Sequence, residues 1–395
     1  MNILYFIPTL SQESGGIRQY AIALLETLQE DHSGNQYYIL YNTSDAFITA
    51  CINNCDHFHG IPATAITEKT YQKVFRIATK NINLALEKSK KSFRIRQYSH
   101  INKICKKYKI DIIHEPAQTI PLASNVKIIC TMHDVQELIF PENFTPEQRI
   151  GRAVAFWNAL SVSDKIIVSY EHVKKDIIKY FRIPQEKIMV CLLSMKNLWF
   201  MKYRGSVLKN IADLYLPKKF LLYPANTWQH KNHIKLLEAI AYLRDEKGVT
   251  ISLVCTGNKT VFFDHAIMPV LKKLDLDNNV SFLGIVDDET LYAIYKSAEA
   301  VVVPTMYEAG SFPLMESIIM EIPVVCSNVT SLPETIGDSR FTFDPSNVED
   351  IAEKCYKIYA DTEYRQHNIA NSKLHADKIL HTDALKKIVN MYANL

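Results

Sequence analysis

The sequence predicts an α/β fold: two Rossmann-like domains, each a parallel sheet covered on both faces by helices, facing each other across a cleft. Three observations lead there. The 395 residues suffice for two domains that each bury a core of their own. Hydrophobic residues make up 48% of the chain and charged residues 22%, a globular balance that excludes a mainly disordered or fibrous protein. Short β-branched or aromatic runs alternate throughout with longer helical patterns, the rhythm of βαβ units.

The first group of runs reads NILYFIP, QYYILYN, DIIHE, VKIICTM, KIIVS and IMVCLL; the second reads KFLLYP, VTISLVC, VSFLG, AVVVP, IPVVCS and RFTF. They are apolar at successive positions, as strands covered on both faces must be, because side chains alternate between those faces. The opening MNILYFIPTL lacks the basic flank and small-residue cleavage site of a secretory signal and is read as the first buried strand. Residues 194–218 lose the rhythm and are assigned to the linker. The first domain is therefore placed at 1–200 and the second at 201–375, with a helical run at 376–395 expected to cross back. No apolar window is long enough to span a bilayer. The eight cysteines form no CxxC pair and four sit inside apolar runs, which points to a reducing, cytoplasmic setting without structural metal.

Glycine is scarce, eleven in all, and five glycines stand where predicted strands end: Gly15 and Gly16, Gly257, Gly284 and Gly310. Open α/β sheets bind ligands at that edge, where glycine lets the backbone approach a phosphate and a helix N-terminus offers free N–H groups. A tight turn would equally explain any one of them. In the segment 304–334, the strand AVVVP runs into a loop holding Glu308 and Gly310, and Pro313 opens a helix carrying Glu316. A ligand at that helix start would meet both carboxylates and the N–H groups of Gly310, Ser311 and Phe312. Carboxylates accept hydrogen bonds from neighbouring sugar hydroxyls; an acidic first turn is also ordinary helix design. The strand KFLLYP leads through Asn226 to His230-Lys231-Asn232, which puts the Lys231 cation at a strand-to-helix edge, where it can also simply be solvated. After VKIICTM comes His133, and after DIIHE the weaker candidate His114.

These motifs resemble the retaining glycosyltransferases of family 4, whose fold is termed GT-B. The matching residues are Glu308, a second Glu after seven residues at Glu316, Glu321-Ile322-Pro323, and Glu334. The resemblance implies that Glu308 faces the sugar of a nucleotide-sugar donor and that Glu316 holds the ribose. It places Lys231 at the diphosphate and His133 near the anomeric carbon, and it gives Glu308, Lys231 and His133 the catalytic roles. Asn226, His230, Gly257, Gly284, Val286, Gly310, Ser311, Phe312 and Gly16 would complete the donor site, with Gly15 and His114 toward the acceptor. Two departures are visible: the family's Glu-Gly-Phe-Gly reads Glu308-Ala309-Gly310-Ser311, and the arginine expected shortly before Lys231 is absent. The implied activity is retaining transfer of a hexosyl group from a UDP- or GDP-linked donor to a glycan acceptor, lipid-linked, in polysaccharide biosynthesis. No cofactor or metal is expected; Asp275-Leu276-Asp277 spells a metal motif but precedes a strand instead of following one. A nucleotide-sugar epimerase of the same fold and a non-catalytic nucleotide-binding partner protein stay open as alternatives.

The formal net charge is only +3, yet residues 69–109 hold thirteen Lys or Arg and a single acid, interleaved with apolar residues. A basic amphipathic stretch of this kind reads as a membrane-surface patch, giving peripheral attachment to the inner face of the cell membrane. Nucleic-acid binding shares the electrostatic footprint but lacks an accompanying motif and is not expected.

Overall fold

A computed structural model describes residues 1–10, 15–66, 100–118 and 126–395. The proposed membrane patch lies mostly outside the described residues. Two sheets organise the rest, and every strand pairing in them is parallel. The first contains β1 (Asn2–Ile7), β2 (Gln36–Tyr41), β3 (Phe58–Pro62), β4 (Ile112–Glu115), β5 (Lys127–Thr131), β6 (Lys165–Val168) and β7 (Ile188–Val190), in the order β3-β2-β1-β4-β5-β6-β7. The second contains β8 (Leu221–Pro224), β9 (Leu253–Thr256), β10 (Val280–Gly284), β11 (Ala300–Val303), β12 (Val324–Ser327) and β13 (Thr342–Phe343), in the order β10-β9-β8-β11-β12-β13.

Strand β3, FHGIP, is absent from the sequence reading, and its position explains why. It is an edge strand whose glycine and proline weaken a β pattern, and both are tolerated where one side of the ladder is unpaired. The central strands behave as expected of two-sided burial. On β1, Ile3, Tyr5 and Ile7 join one apolar cluster, while Leu4 joins another with Leu40, Ile113 and Ile104 on the opposite face. Each such buried aliphatic contributes about 1.5–3 kcal/mol.

The helices that matter below are α1 (Gly15–Gln29), α2 (Ala46–Asn53), α3 (His100–Tyr108), α4 (Pro146–Val162) and α5 (Glu171–Phe181) around the first sheet. Around the second are α6 (His233–Lys247), α7 (Asp288–Ser297), α8 (Phe312–Ile319), α9 (Val348–Ala360) and α10 (Thr362–Leu380); α11 (Ala384–Ala393) follows. Cys191 and Leu193 belong to the first core, whereas Met195 and Phe200 belong to the second, so the chain changes core at Ser194. It returns between Ile379, in the second core, and Ala384, Ile388, Met391 and Tyr392 of α11, in the first. The two crossings are tied together: the Met195 N–H donates to the Ile379 carbonyl at 3.1 Å, and the hydroxyls of Ser194 and Thr382 lie 3.0 Å apart. Among the described residues no helix is long and apolar enough to cross a membrane.

Candidate active site

Parallel strands deliver their following loops to one edge, and here the loops after β8, β9, β10 and β11 meet the N-terminus of α8. They enclose a cavity of about 470 Å³ lined by Asn226, Lys231, Gly257, Val286, Phe312 and Glu316, among others. Gly257 has φ +112°, and a Cβ on it would stand 2.7 Å from the Ala225 carbonyl, so the two loops approach each other only because a side chain is missing. Its N–H donates to the Gly284 carbonyl at 2.8 Å, and Gly284 itself turns the chain at φ +76° toward Val286. Asn226 spends its Oδ1 on the Asn258 N–H at 2.7 Å, bracing the same loop.

Lys231 ends a short turn, Gln229–Lys231, and is followed by Asn232 in the left-handed region. The Asn232 amide donates to the carbonyls of Pro304 (2.9 Å) and Pro345 (2.8 Å), fixing this turn to the end of β11. Lys231 Nζ is thereby brought to Glu308, and the two form an ion pair with both side chains largely buried. His230 serves the loop through its carbonyl, which accepts from the Met306 N–H (2.8 Å) and the Thr305 hydroxyl (3.0 Å). Burial and then the Lys231 charge push its imidazole down to about 4, so it stays neutral at physiological pH.

Glu316 is 7% exposed and burial raises its carboxyl above the usual range. Two donors oppose that: Trp199 Nε1 reaches Oε1 at 2.6 Å and the Tyr295 hydroxyl reaches Oε2 at 2.7 Å. Ser311, just ahead of α8, is buried and its hydroxyl meets no partner.

The first domain supplies the opposite wall. Gly15 and Gly16 open α1, and His133 follows β5. A second cavity of about 240 Å³ is lined by Gly16, Tyr20, His133, Tyr170, Gly310 and Phe312, so Phe312 is a wall common to both cavities. A Cβ on Gly16 would stand 3.5 Å from the Phe312 ring. His133 Nε2 lies 2.7 Å from the Pro116 carbonyl, a partner that only accepts, so this nitrogen carries the proton. Burial lowers the imidazole pKa, and the edge of the ring packs against Tyr20 at 4.7 Å between centroids. The free nitrogen of the neutral ring is therefore Nδ1, an acceptor; donation to a ligand from that position needs the protonated form. Next to it, Asp134 is held by Arg152 at 2.7 Å.

The domains also touch beside the cleft. A Cβ on Gly310 would stand 3.1 Å from Tyr170, whose hydroxyl donates to Met315 Sδ at 3.8 Å. The glycine displaced from its usual place in the motif thus makes room for an aromatic ring of the other domain. Glu334 accepts from the backbone N–H groups of Glu171 and His172, both at 3.1 Å, capping α5 from across the interface. The His172 ring stands near those of Tyr170 and Tyr307, and burial pushes it down to about 4.

His114 is a correction. It is fully buried, with Nδ1 2.6 Å from the Tyr392 hydroxyl of α11, and so faces the core instead of an acceptor. Trp199, Tyr295, Tyr170 and Tyr307 are the site neighbours that sequence reasoning missed. Only Trp199 left a signal, as an aromatic in the stretch where the strand rhythm fails.

Residues 14–191 match the model of Glycosyltransferase Family 4, and residues 207–375 match that of Glycosyl transferases group 1. The chain is a family 4 glycosyltransferase. This transferase is 25% identical over 287 residues to O-antigen chain mannosyltransferase B of Escherichia coli, covering 72% of this chain and 74% of that one. It is 25% identical over 234 residues to O-antigen chain mannosyltransferase RfbU of Salmonella typhimurium, with 58% and 59% covered. A glycosyltransferase structure from Rickettsia africae superposes with a TM-score of 0.66 at 18% identity, covering 100% of the transferase and 98% of that chain. Anabaena HepE in complex with UDP-glucose also gives 0.66, at 14% identity, with both chains fully covered. The fold of the transferase is GT-B.

Proposed function

We propose that this glycosyltransferase moves a hexosyl group, with retention, from a UDP- or GDP-linked sugar to a hydroxyl of a lipid-linked glycan in polysaccharide assembly. The carrying observation is that Lys231, paired with Glu308, and Glu316 line one cavity, His133 lines the next, and Phe312 lines both. The names of the O-antigen relatives make mannose the first sugar to test.

In this reading the diphosphate lies against Lys231 and the N–H groups at the start of α8, and the ribose lies on Glu316. The ammonium has three donor hydrogens, so Lys231 can bond the diphosphate while keeping Glu308 in place for the sugar hydroxyls. The bond from the anomeric carbon to the diphosphate oxygen breaks, and the acceptor oxygen bonds that carbon on the same face. The acceptor's proton passes to the departing diphosphate. Lys231 and the helix N-terminus stabilise the charge that develops there. His133 Nδ1 accepts from a sugar or acceptor hydroxyl. The charge required is supplied by these groups without a divalent ion.

The membrane reading gains support outside the basic stretch. On α4, Ile150, Val154 and Trp157 form one stripe at helical spacing and are 66%, 57% and 55% exposed. Arg152, about half a turn round the same helix, is the residue that reaches Asp134 at the cleft, so the stripe itself faces away from the cleft. Vesicles with anionic lipid should bind the protein and neutral vesicles should not; equal binding to both removes the electrostatic part of this reading.

Incubation with UDP- and GDP-sugars, following nucleotide release with and without acceptor, tests the activity. Glu308→Ala should abolish release while leaving nucleotide binding measurable. Normal transfer by that variant overturns the site assignment, and nucleotide binding without any turnover favours a non-catalytic partner protein.

A further inference from the structure

We propose that Trp199, packed against the second core just past the crossover, is a positioning residue that aims the Glu316 carboxylate as an acceptor pair for the donor's ribose hydroxyls. The inference rests on the donor reading above and adds a residue from outside the nucleotide-binding loops.

The argument begins with what a ribose diol requires. Two neighbouring hydroxyls each donate, so the partner must offer two acceptor oxygens, which an ionised carboxylate does and a protonated one does not. Glu316 is buried, and burial favours the protonated form. Trp199 Nε1 and the Tyr295 hydroxyl each donate to a different oxygen, at 2.6 and 2.7 Å, so both oxygens are anchored and each keeps a lone pair for a ligand hydroxyl.

Among the described residues, no cation is hydrogen-bonded to or ion-paired with Glu316. Asp288 on α7 works against ionisation, and Lys202 engages that aspartate at 3.3 Å. Lys231 lines the same cavity but is paired with Glu308. Arg204 bonds the Ile319 carbonyl at the far end of α8. Burial is the larger influence and keeps the Glu316 carboxyl above its usual range; the two hydrogen-bond donors are what opposes it.

Trp199 packs its ring against Phe200 and Tyr295, at 5.6 and 6.4 Å between centroids, so Trp199→Phe keeps much of the packing and removes the N–H. Calorimetric Kd values for UDP and GDP from pH 5 to 8, with donor KM and kcat, test the role. Trp199→Phe should weaken nucleotide binding by up to about tenfold at the acid end of that range and much less at pH 8, because losing one donor to a charged group moves the acid limb up by about one unit. At saturating donor, kcat should be kept. Tyr295→Phe should move the same limb, and the double variant should fall short of the two effects added. An affinity in Trp199→Phe that is unchanged, or lowered equally at every pH, overturns the positioning role while the donor reading stands. A wild-type protein that binds neither nucleotide, or a Glu316→Ala variant that binds as tightly as wild type, overturns the donor reading and this inference with it.

Discussion

Gly257 shows how a single missing side chain shapes the donor cavity. Gly257→Ala would place a Cβ against backbone that has no freedom to yield, at a φ that L-residues rarely adopt. The expected cost is on the order of 2 kcal/mol. A lowered melting temperature together with weakened nucleotide binding checks it. Lys231 carries a second prediction: Lys231→Ala should lower the transfer rate by roughly 10²–10³-fold, while a chelator should leave the wild-type rate unchanged. Loss of activity in chelator alone would transfer the charge-stabilising role to a metal. At this scale the sequence was informative wherever chemistry and rarity coincided, as in a scarce glycine at a strand end or a carboxylate beside Pro313. It was silent on partners. Nothing at position 231 announces that its ammonium rests on Glu308, and nothing at position 133 announces that Pro116 takes the Nε2 proton. Such pairings depend on where distant loops come to rest.

Among the elements, α5 draws its N-terminal cap from the other domain. Tyr170 precedes it without a side-chain cap, and Glu334 supplies the acceptors from beyond the interface. Glu334→Ala should cost about 1 kcal/mol, read as faster amide exchange at Glu171 and His172 with little change elsewhere. Unaltered exchange there would show that the cap is immaterial. His172, in the same turn, adds a pH dependence. Folded, its pKa lies near 4; unfolded, it returns to about 6.5. The unfolded chain therefore binds the extra proton first, and the stability that His172 contributes at neutral pH is lost as pH falls from about 6.5 toward 4. His172→Phe should flatten that part of the stability profile measured by denaturant titration. The strands themselves were legible because two-sided burial writes an unbroken apolar run. Strand β3 was not, since an edge strand need satisfy neither condition, and FHGIP satisfies neither.

For the molecule as a whole, the informative feature is the double crossing. Leu193 and Met195 face different cores, as do Ile379 and Ala384, and the bonds from Met195 to Ile379 and from Ser194 to Thr382 keep the crossings together. Ile388→Ala should destabilise the first domain by about 2–5 kcal/mol and split a single calorimetric transition into two, with the second domain melting as before. One transition shifted as a unit would mean that the domains unfold together. Sequence reasoning assigned residues 194–218 to the linker from their lost rhythm and expected a helical run at 376–395 to cross back, but it named none of the residues that α11 covers. The answer includes His114, a polar residue whose partner Tyr392 stands 278 positions away. That distance has a consequence for synthesis. The helix that closes the first core leaves the ribosome only after the entire second domain, so the newborn first domain must carry an uncovered apolar face throughout that interval, a natural substrate for chaperones.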